Sequence, residues 1–222
     1  MNKVKSFHGL ITIIPHGVDQ QFLLAPRAQK DLKSYSLREP FRLLYVSSID
    51  LYKHQWHVVE AVAKLKEDGY PIQFDLVGSA YPSALKRLRR ALLKFDPKET
   101  FIHYRGEIPY SKMFDLYRQV DVFVFASSCE TFGQIVTEAM AAGLPIACSD
   151  KGPMVEILGD SAVYFDPEKP SEIADVLKRL IDSPNMRIEK ASVSYKKSKD
   201  YTWERCVQDT FAFFSRIATN HT

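Results

Sequence analysis

Residues 130–138 read ETFGQIVTE, with two carboxylates, Glu130 and Glu138, and Gly133 between them at the start of an apolar run. Carboxylates accept hydrogen bonds from hydroxyls, and the free backbone N–H groups of a helix start attract anions. In one continuous helix the two acids would lie about 80° out of phase and about 12 Å apart along the axis, too far to share one small site. Gly133 implies a different arrangement. It marks the turn at which a loop becomes a helix, so that Glu130 stays in the loop. The N–H groups from Gly133 to Val136 are then free, and together with the helix dipole they favour phosphate. Glu138 lies about one turn inside the helix, its Cα–Cβ bond tilted back towards the N-terminus. A ligand with hydroxyls at both ends and phosphates in the middle fits such a site, as a nucleotide diphosphate sugar would. On spacing alone the plainer alternative stays open: acids gathered at a helix start for dipole reasons, with Glu138 exposed.

A pyrophosphate held between two carboxylates needs a compensating cation. Lys53 is the candidate, set against the ordinary alternative of a surface lysine. The elements that must position these residues alternate along the chain. Apolar runs at 10–15 (LITIIP), 41–46 (FRLLYV), 72–78, 100–104, 120–126, 145–150 and 162–165 read as strands. Helical patterns lie between them: about 53–68, closed by Gly69; 82–95, with Leu85, Leu88, Leu92 and Phe95 on one face; 110–119; 133–143; and a short one from Pro153. Three more, at about 171–182, 185–199 and 202–219, close the chain. Strand–helix alternation predicts an α/β fold, a Rossmann-like, doubly wound parallel sheet with helices on both faces. Such sheets bind ligands beyond the carboxyl ends of their strands. The candidate segments are therefore 47–53, 78–81, 104–108, 127–133 and 149–152. The organisation expected is a strand and connection over 1–40, a nucleotide-sugar-binding domain over 41–200, and a C-terminal helix over 201–222.

The run ETFGQIVTEAMAAGLPIACSDKGPMVE resembles the signature of the retaining, family-4-type (group 1) glycosyltransferases of GT-B fold. Other pieces agree in order: IPHGVD, which resembles the opening of that family's second domain; Tyr52–Lys53 after the first domain strand; DLYRQVDVFVFAS before the motif; and YTWERC near the end. The resemblance implies the donor-binding half of an enzyme that transfers a hexosyl group from a UDP- or GDP-sugar to a saccharide or lipid-linked acceptor. It implies roles as well. Glu130 would bind hydroxyls of the transferred sugar, and Lys53 would neutralise the leaving diphosphate. Thr131, Phe132 and Gly133 would line the sugar and phosphate site, and Gln134, Ile135 and Val136 would offer N–H groups to the pyrophosphate. Glu138 would hold the ribose, and the loop bearing Tyr104, Arg105 and Ile108 would meet the base. The acceptor-binding domain, which in that family precedes IPHGVD, is the expected missing partner. Alone, this half should catalyse little, and Phe211, Phe213 and Phe214 should form an exposed apolar patch.

The sequence also departs from the pattern. Ser47–Ser48 stands where the family usually has Gly-Arg, and a hydroxyl replaces neither the charge nor the fork of a guanidinium. Ser48 is retained as a donor-site position. His54 and Ser79 stand where glycine is common, and His16 reads as a turn residue. The Ser47–Ser48 replacement favours a rival reading, a nucleotide-sugar binding module without catalysis.

Other classes find little support. Net charge is +3 and the aromatic residues are scattered, which gives no stacking platform for nucleic acid. Three cysteines at unpatterned spacings read as reduced thiols, and the N-terminus lacks the apolar core of a signal peptide. A cytoplasmic protein is expected. Lys86, Arg87, Arg89, Arg90 and Lys94 form a basic helix side, most simply a solvated face, alternatively a weak contact with the inner face of an anionic membrane. No Asp-x-Asp triplet or metal-ligand spacing appears, so no cofactor or metal is expected. Ser127 and Ser128 do not form a Gly-x-Ser-x-Gly elbow, and no Gly-x-Gly-x-x-Gly follows the first domain strand.

Overall fold

The computed structural model describes residues 9–219. Six parallel strands form one sheet: β1 (Phe41–Val46), β2 (Ile72–Val77), β3 (Ile102–Tyr104), β4 (Val122–Phe125), β5 (Ile146–Ser149) and β6 (Ala162–Phe165). Their spatial order is β3-β2-β1-β4-β5-β6. Strands buried on both faces read as continuous apolar runs rather than alternations, and β4 (VFVF) and β5 (IACS) are buried at every position.

The helices are α1 (Gln55–Glu67), α2 (Pro82–Phe95), α3 (Met113–Arg118), α4 (Gln134–Ala141), α5 (Met154–Leu158), α6 (Pro170–Asp182), α7 (Pro184–Ser198) and α8 (Trp203–Thr219). The first helix packs beside α2 and α6, and α4 packs against α7. On α2 the buried stripe is Ala84, Leu88 and Leu92. The five basic residues of this helix all lie exposed, with the Arg87 guanidinium 4.0 Å from the Trp56 ring centre.

Two expectations are corrected. The run at 10–15 forms no strand: Leu10, Ile11 and Ile13 lie exposed, and none of the run joins the six-stranded sheet. A strand needs a partner for its backbone groups, and this segment gains its first tertiary hydrogen bond only at Val18, whose N–H donates to the Tyr201 carbonyl. The first helical pattern also begins later than its periodicity indicates. Leu51–Lys53 forms a 3-10 turn, and His54 interrupts with left-handed φ 50° and ψ 28° before α1 starts at Gln55. Residues 1–8 and 220–222 of the expected terminal segments lie outside the described residues. On α8, Phe211 and Phe214 are 65% and 58% exposed, and Phe213 is half-buried.

Candidate functional site

The chain winds outward in both directions from β1 and β4, so the carboxyl ends of these two strands bound the crevice where such a sheet takes its ligand. The loops after β1, β2, β3 and β4 all converge there. The β1 and β2 loops approach unusually closely. A Cβ on Gly78 (φ 142°) would lie 2.0 Å from the Ser47 carbonyl oxygen, so only glycine fits. Beyond it, Ile49 N–H donates to Ser79 O at 2.7 Å and Tyr81 N–H to Ile49 O at 3.0 Å.

Lys53 ends the 3-10 turn and is buried. Its backbone is fixed from two sides: its N–H donates to Asp50 O at 3.1 Å, and the Tyr45 hydroxyl donates to its carbonyl at 2.6 Å. Its ammonium lies 5.1 Å from the centres of both the Tyr52 and Phe125 rings and forms an ion pair with Glu130 across the switch point. Glu130 sits in the β4 loop, and Gly133 turns that loop into α4 with φ 79°, as the division of loop from helix requires. A Cβ at Gly133 would lie 2.6 Å from Met154 Cε.

A cavity of about 760 Å³ opens at this edge, and Ser48, Lys53, Ile108, Ile135 and Glu138 are among its walls. Its remaining walls include Ser79 and Glu107, which lie in the strand-end segments singled out from the sequence, and Tyr110 and Met113, which carried no site signal there. Lys53 is the one cationic side chain among the described residues that line it. Glu138, far from exposed, is 2% accessible. It accepts the Tyr117 hydroxyl at 3.2 Å. Burial pushes its carboxyl up from 4.5 to about 7, with the Tyr117 hydrogen bond opposing and the Asp19 charge adding to the rise. Tyr117 carried no sequence signal, because it reaches Glu138 from a different helix.

The other named residues are placed differently. Phe132 turns its ring to His16 (centroids 5.6 Å) and Tyr201 (5.9 Å). Thr131 and Gln134 are exposed at the helix start, and Val136 is buried beneath it. Tyr104 donates its hydroxyl to Gly78 O at 2.9 Å, and Arg105 donates to Asp75 at 3.0 Å. Neither lines the cavity, and the β3 loop contributes Glu107 and Ile108 instead. At the position of the family arginine, Ser48 lines the cavity with Ser47, and both are tied to Gln55, whose amide donates to Ser47 Oγ and Ser48 O at 2.9 Å each. Among the described residues no group of three or more His, Cys, Asp or Glu could hold a metal ion, and no helix is long and apolar enough to cross a membrane.

A six-stranded parallel sheet of this order, with its cation, acids and helix start gathered at the switch point, defines a Rossmann-like half of the GT-B glycosyltransferase architecture. The chain belongs to the group 1 glycosyl transferases, whose family model matches residues 27–197. Among curated relatives, O-antigen chain mannosyltransferase B of Escherichia coli is 27% identical over 180 residues, which cover 81% of this chain and 47% of that protein. D-inositol 3-phosphate glycosyltransferase of Thermomonospora curvata is 27% identical over 182 residues, covering 77% and 41%. The chain thus spans about half the length of the curated relatives it matches. HepE of Anabaena, solved with UDP and glucose, superposes with a TM-score of 0.79 at 18% identity, over 92% of this chain and 57% of that one. The C-terminal domain of a group 1 family glycosyl transferase from Francisella tularensis superposes with a TM-score of 0.68 at 23% identity, over 83% and 97%.

Proposed function

We propose that this chain is the nucleotide-sugar-binding half of a retaining glycosyltransferase that moves a hexosyl group from a UDP- or GDP-sugar to a saccharide or lipid-linked acceptor. The observation that carries the reading is the ion pair between Lys53 and Glu130 across the switch point, beside a cavity that Lys53 shares with Glu138. The HepE structure with UDP and glucose supports a donor of this class for the same fold.

In this reading the diphosphate lies against Lys53 and the N–H groups that open α4. As the bond from the sugar to the leaving phosphate lengthens, charge builds on that phosphate. A fixed cation and helix N–H groups then stabilise the transition state more than the ground state. Glu130 uses Oε1 for Lys53, leaving its other oxygen for sugar hydroxyls. Glu138 accepts the ribose hydroxyls. Transfer requires an acceptor-binding domain facing this cleft, so the half alone binds donor and transfers little. The reading includes a cytoplasmic setting, no metal, and weak contact of the basic side of α2 with anionic membrane, which sedimentation with phosphatidylglycerol vesicles tests.

The test of the main reading is titration with UDP- and GDP-sugars. Saturable binding that is lost in Glu138→Ala is the expected outcome, and absence of binding at millimolar nucleotide refutes the reading. The rival reading, a non-catalytic module, rests on Ser47–Ser48, which leave Lys53 as the single cation lining the cavity among the described residues. Hydrolysis or transfer of the sugar by the protein joined to an acceptor domain separates the two.

A further inference from the structure

His54 holds a backbone conformation that a residue with a Cβ adopts at a cost, and glycine without one (φ 50°, ψ 28°). What the side chain does there offers a reason. It is buried, and its Nε2 lies 2.9 Å from the hydroxyl of Ser128, 74 positions further along the chain in the β4 loop. Ser128 is fastened to the β1 loop twice more. Its N–H donates to the Tyr52 carbonyl at 2.8 Å, and its hydroxyl lies 3.2 Å from the same oxygen. With that hydroxyl donating to Tyr52 O, its lone pair accepts from His54, so the ring proton sits on Nε2. Nδ1 then faces no partner. A neutral ring suits this setting, and burial lowers the His54 pKa. The stacked His57 ring and Arg87 push the same way, while Glu168 and Asp166 oppose them.

Lys53 is the neighbour of both Tyr52 and His54, and Glu130 follows Ser128 by two residues. We propose that His54 is a positioning residue: through Ser128 it clamps the β4 loop onto the β1 loop and so sets the spacing of Lys53 and Glu130. The consequence for ligand binding rests on the function proposed above, whereas the clamp itself does not. A ligand that bridges the two loops gains from their fixed spacing, because the ordering has been completed before it arrives. A nucleoside monophosphate, which lacks the sugar that would reach Glu130, does not bridge the two loops and gains nothing from it.

The experiment compares wild type, His54→Gly, Ser128→Ala, the double variant and His54→Gln. Each is titrated with UDP-glucose and GDP-mannose, and with UMP and GMP. Glycine relieves the left-handed backbone, which offsets part of the packing lost with the buried ring against Trp56 and His57. Loss of this one hydrogen bond should weaken sugar-nucleotide binding about three- to tenfold, with monophosphate binding unchanged. The double variant should be no worse than Ser128→Ala alone, since the bond between His54 and Ser128 is already lost in that variant. His54→Gln supplies a terminal amide that reaches the same hydroxyl and should restore most of the affinity. Equal loss for sugar nucleotide and monophosphate, additive loss in the double variant, or unchanged sugar-nucleotide affinity overturns the proposal. Amide hydrogen exchange at Ser128 reads the clamp without any ligand. It should quicken in His54→Gly and Ser128→Ala. If wild type binds no sugar nucleotide, the functional reading fails while the clamp is still judged: unchanged exchange overturns it and faster exchange supports it.

Discussion

Burial of Glu138 should make this fold less stable at neutral pH, and a variant that never ionises measures by how much. The side chain is 2% exposed, with the Tyr117 hydroxyl as hydrogen-bond donor. Burial raises its carboxyl from 4.5 to about 7. The sign follows from proton counting. Between these two values the folded chain holds a proton that the unfolded chain has released, so stability falls as pH rises through this window and levels off above it. The interval corresponds to roughly 3 kcal/mol at about 1.4 kcal/mol per pH unit. Glu138→Gln keeps the shape and still accepts the Tyr117 hydroxyl, but never ionises. The variant should match wild type near pH 4, where both states are protonated, and exceed it by roughly 3 kcal/mol at pH 8.5. For a chain of this size that is a rise in Tm of about 6–12 °C. Urea unfolding followed by circular dichroism at the two pH values gives the difference directly, and other acid-sensitive groups cancel between variant and wild type. A variant no more stable than wild type at pH 8.5 would refute the reasoning. The same substitution should abolish pH dependence of nucleotide-sugar binding between about 6 and 8, because only the carboxylate accepts two hydroxyls. Stability gained and binding lost in one variant is the pattern of a group kept for its ligand.

Lys53→Met keeps the apolar stem against Tyr52 and Phe125 but removes the only cation lining the cavity among the described residues, so sugar-nucleotide affinity should fall roughly 10- to 100-fold by calorimetry. Gly133→Ala forces a Cβ into left-handed backbone and against Met154, which should cost about 1–2 kcal/mol in chemical unfolding. Asp96 accepts the N–H groups of Thr100, Phe101 and Ile102, leading into β3. Burial works to raise its carboxyl, but these N–H donors prevail and hold it below 3.8. Its stabilisation is therefore present above that value and lost as pH falls through the lowered one, and Asp96→Ala should cost at least about 2 kcal/mol at pH 7, with the charge-dependent part of that cost disappearing as pH falls through the lowered value. Phe211→Asp with Phe214→Asp should reduce dye binding to exposed apolar surface, with little change in Tm, because both rings lie outside the core.

The sheet was legible because its strands are short apolar runs punctuated by glycine and proline. The run at 41–46 matches β1 residue for residue, while 10–15 looks equally apolar and forms no strand. Local pattern reports that a segment prefers burial, and whether an edge awaits it is decided elsewhere in the chain. The same limit governs the site. Gly133 announced the loop-to-helix division because a left-handed turn has a residue preference. That Glu138 is buried and bonded to Tyr117, with the Asp19 charge raising its pKa, depends on neighbours supplied by other elements. The helical period ran through His54 without a break, since a histidine in left-handed backbone leaves no mark on hydrophobic spacing. Its reason lies 74 residues away, at Ser128. In this molecule, then, the residues that would meet the ligand carry their signal in type and spacing. Those that hold them in place carry theirs only in contacts made by the folded chain: Tyr117 from α3 to Glu138, Gln55 from α1 to Ser47 and Ser48, and Ser128 to His54. Substitutions at that second set therefore test the placement of the site, and substitutions at the first set test its chemistry.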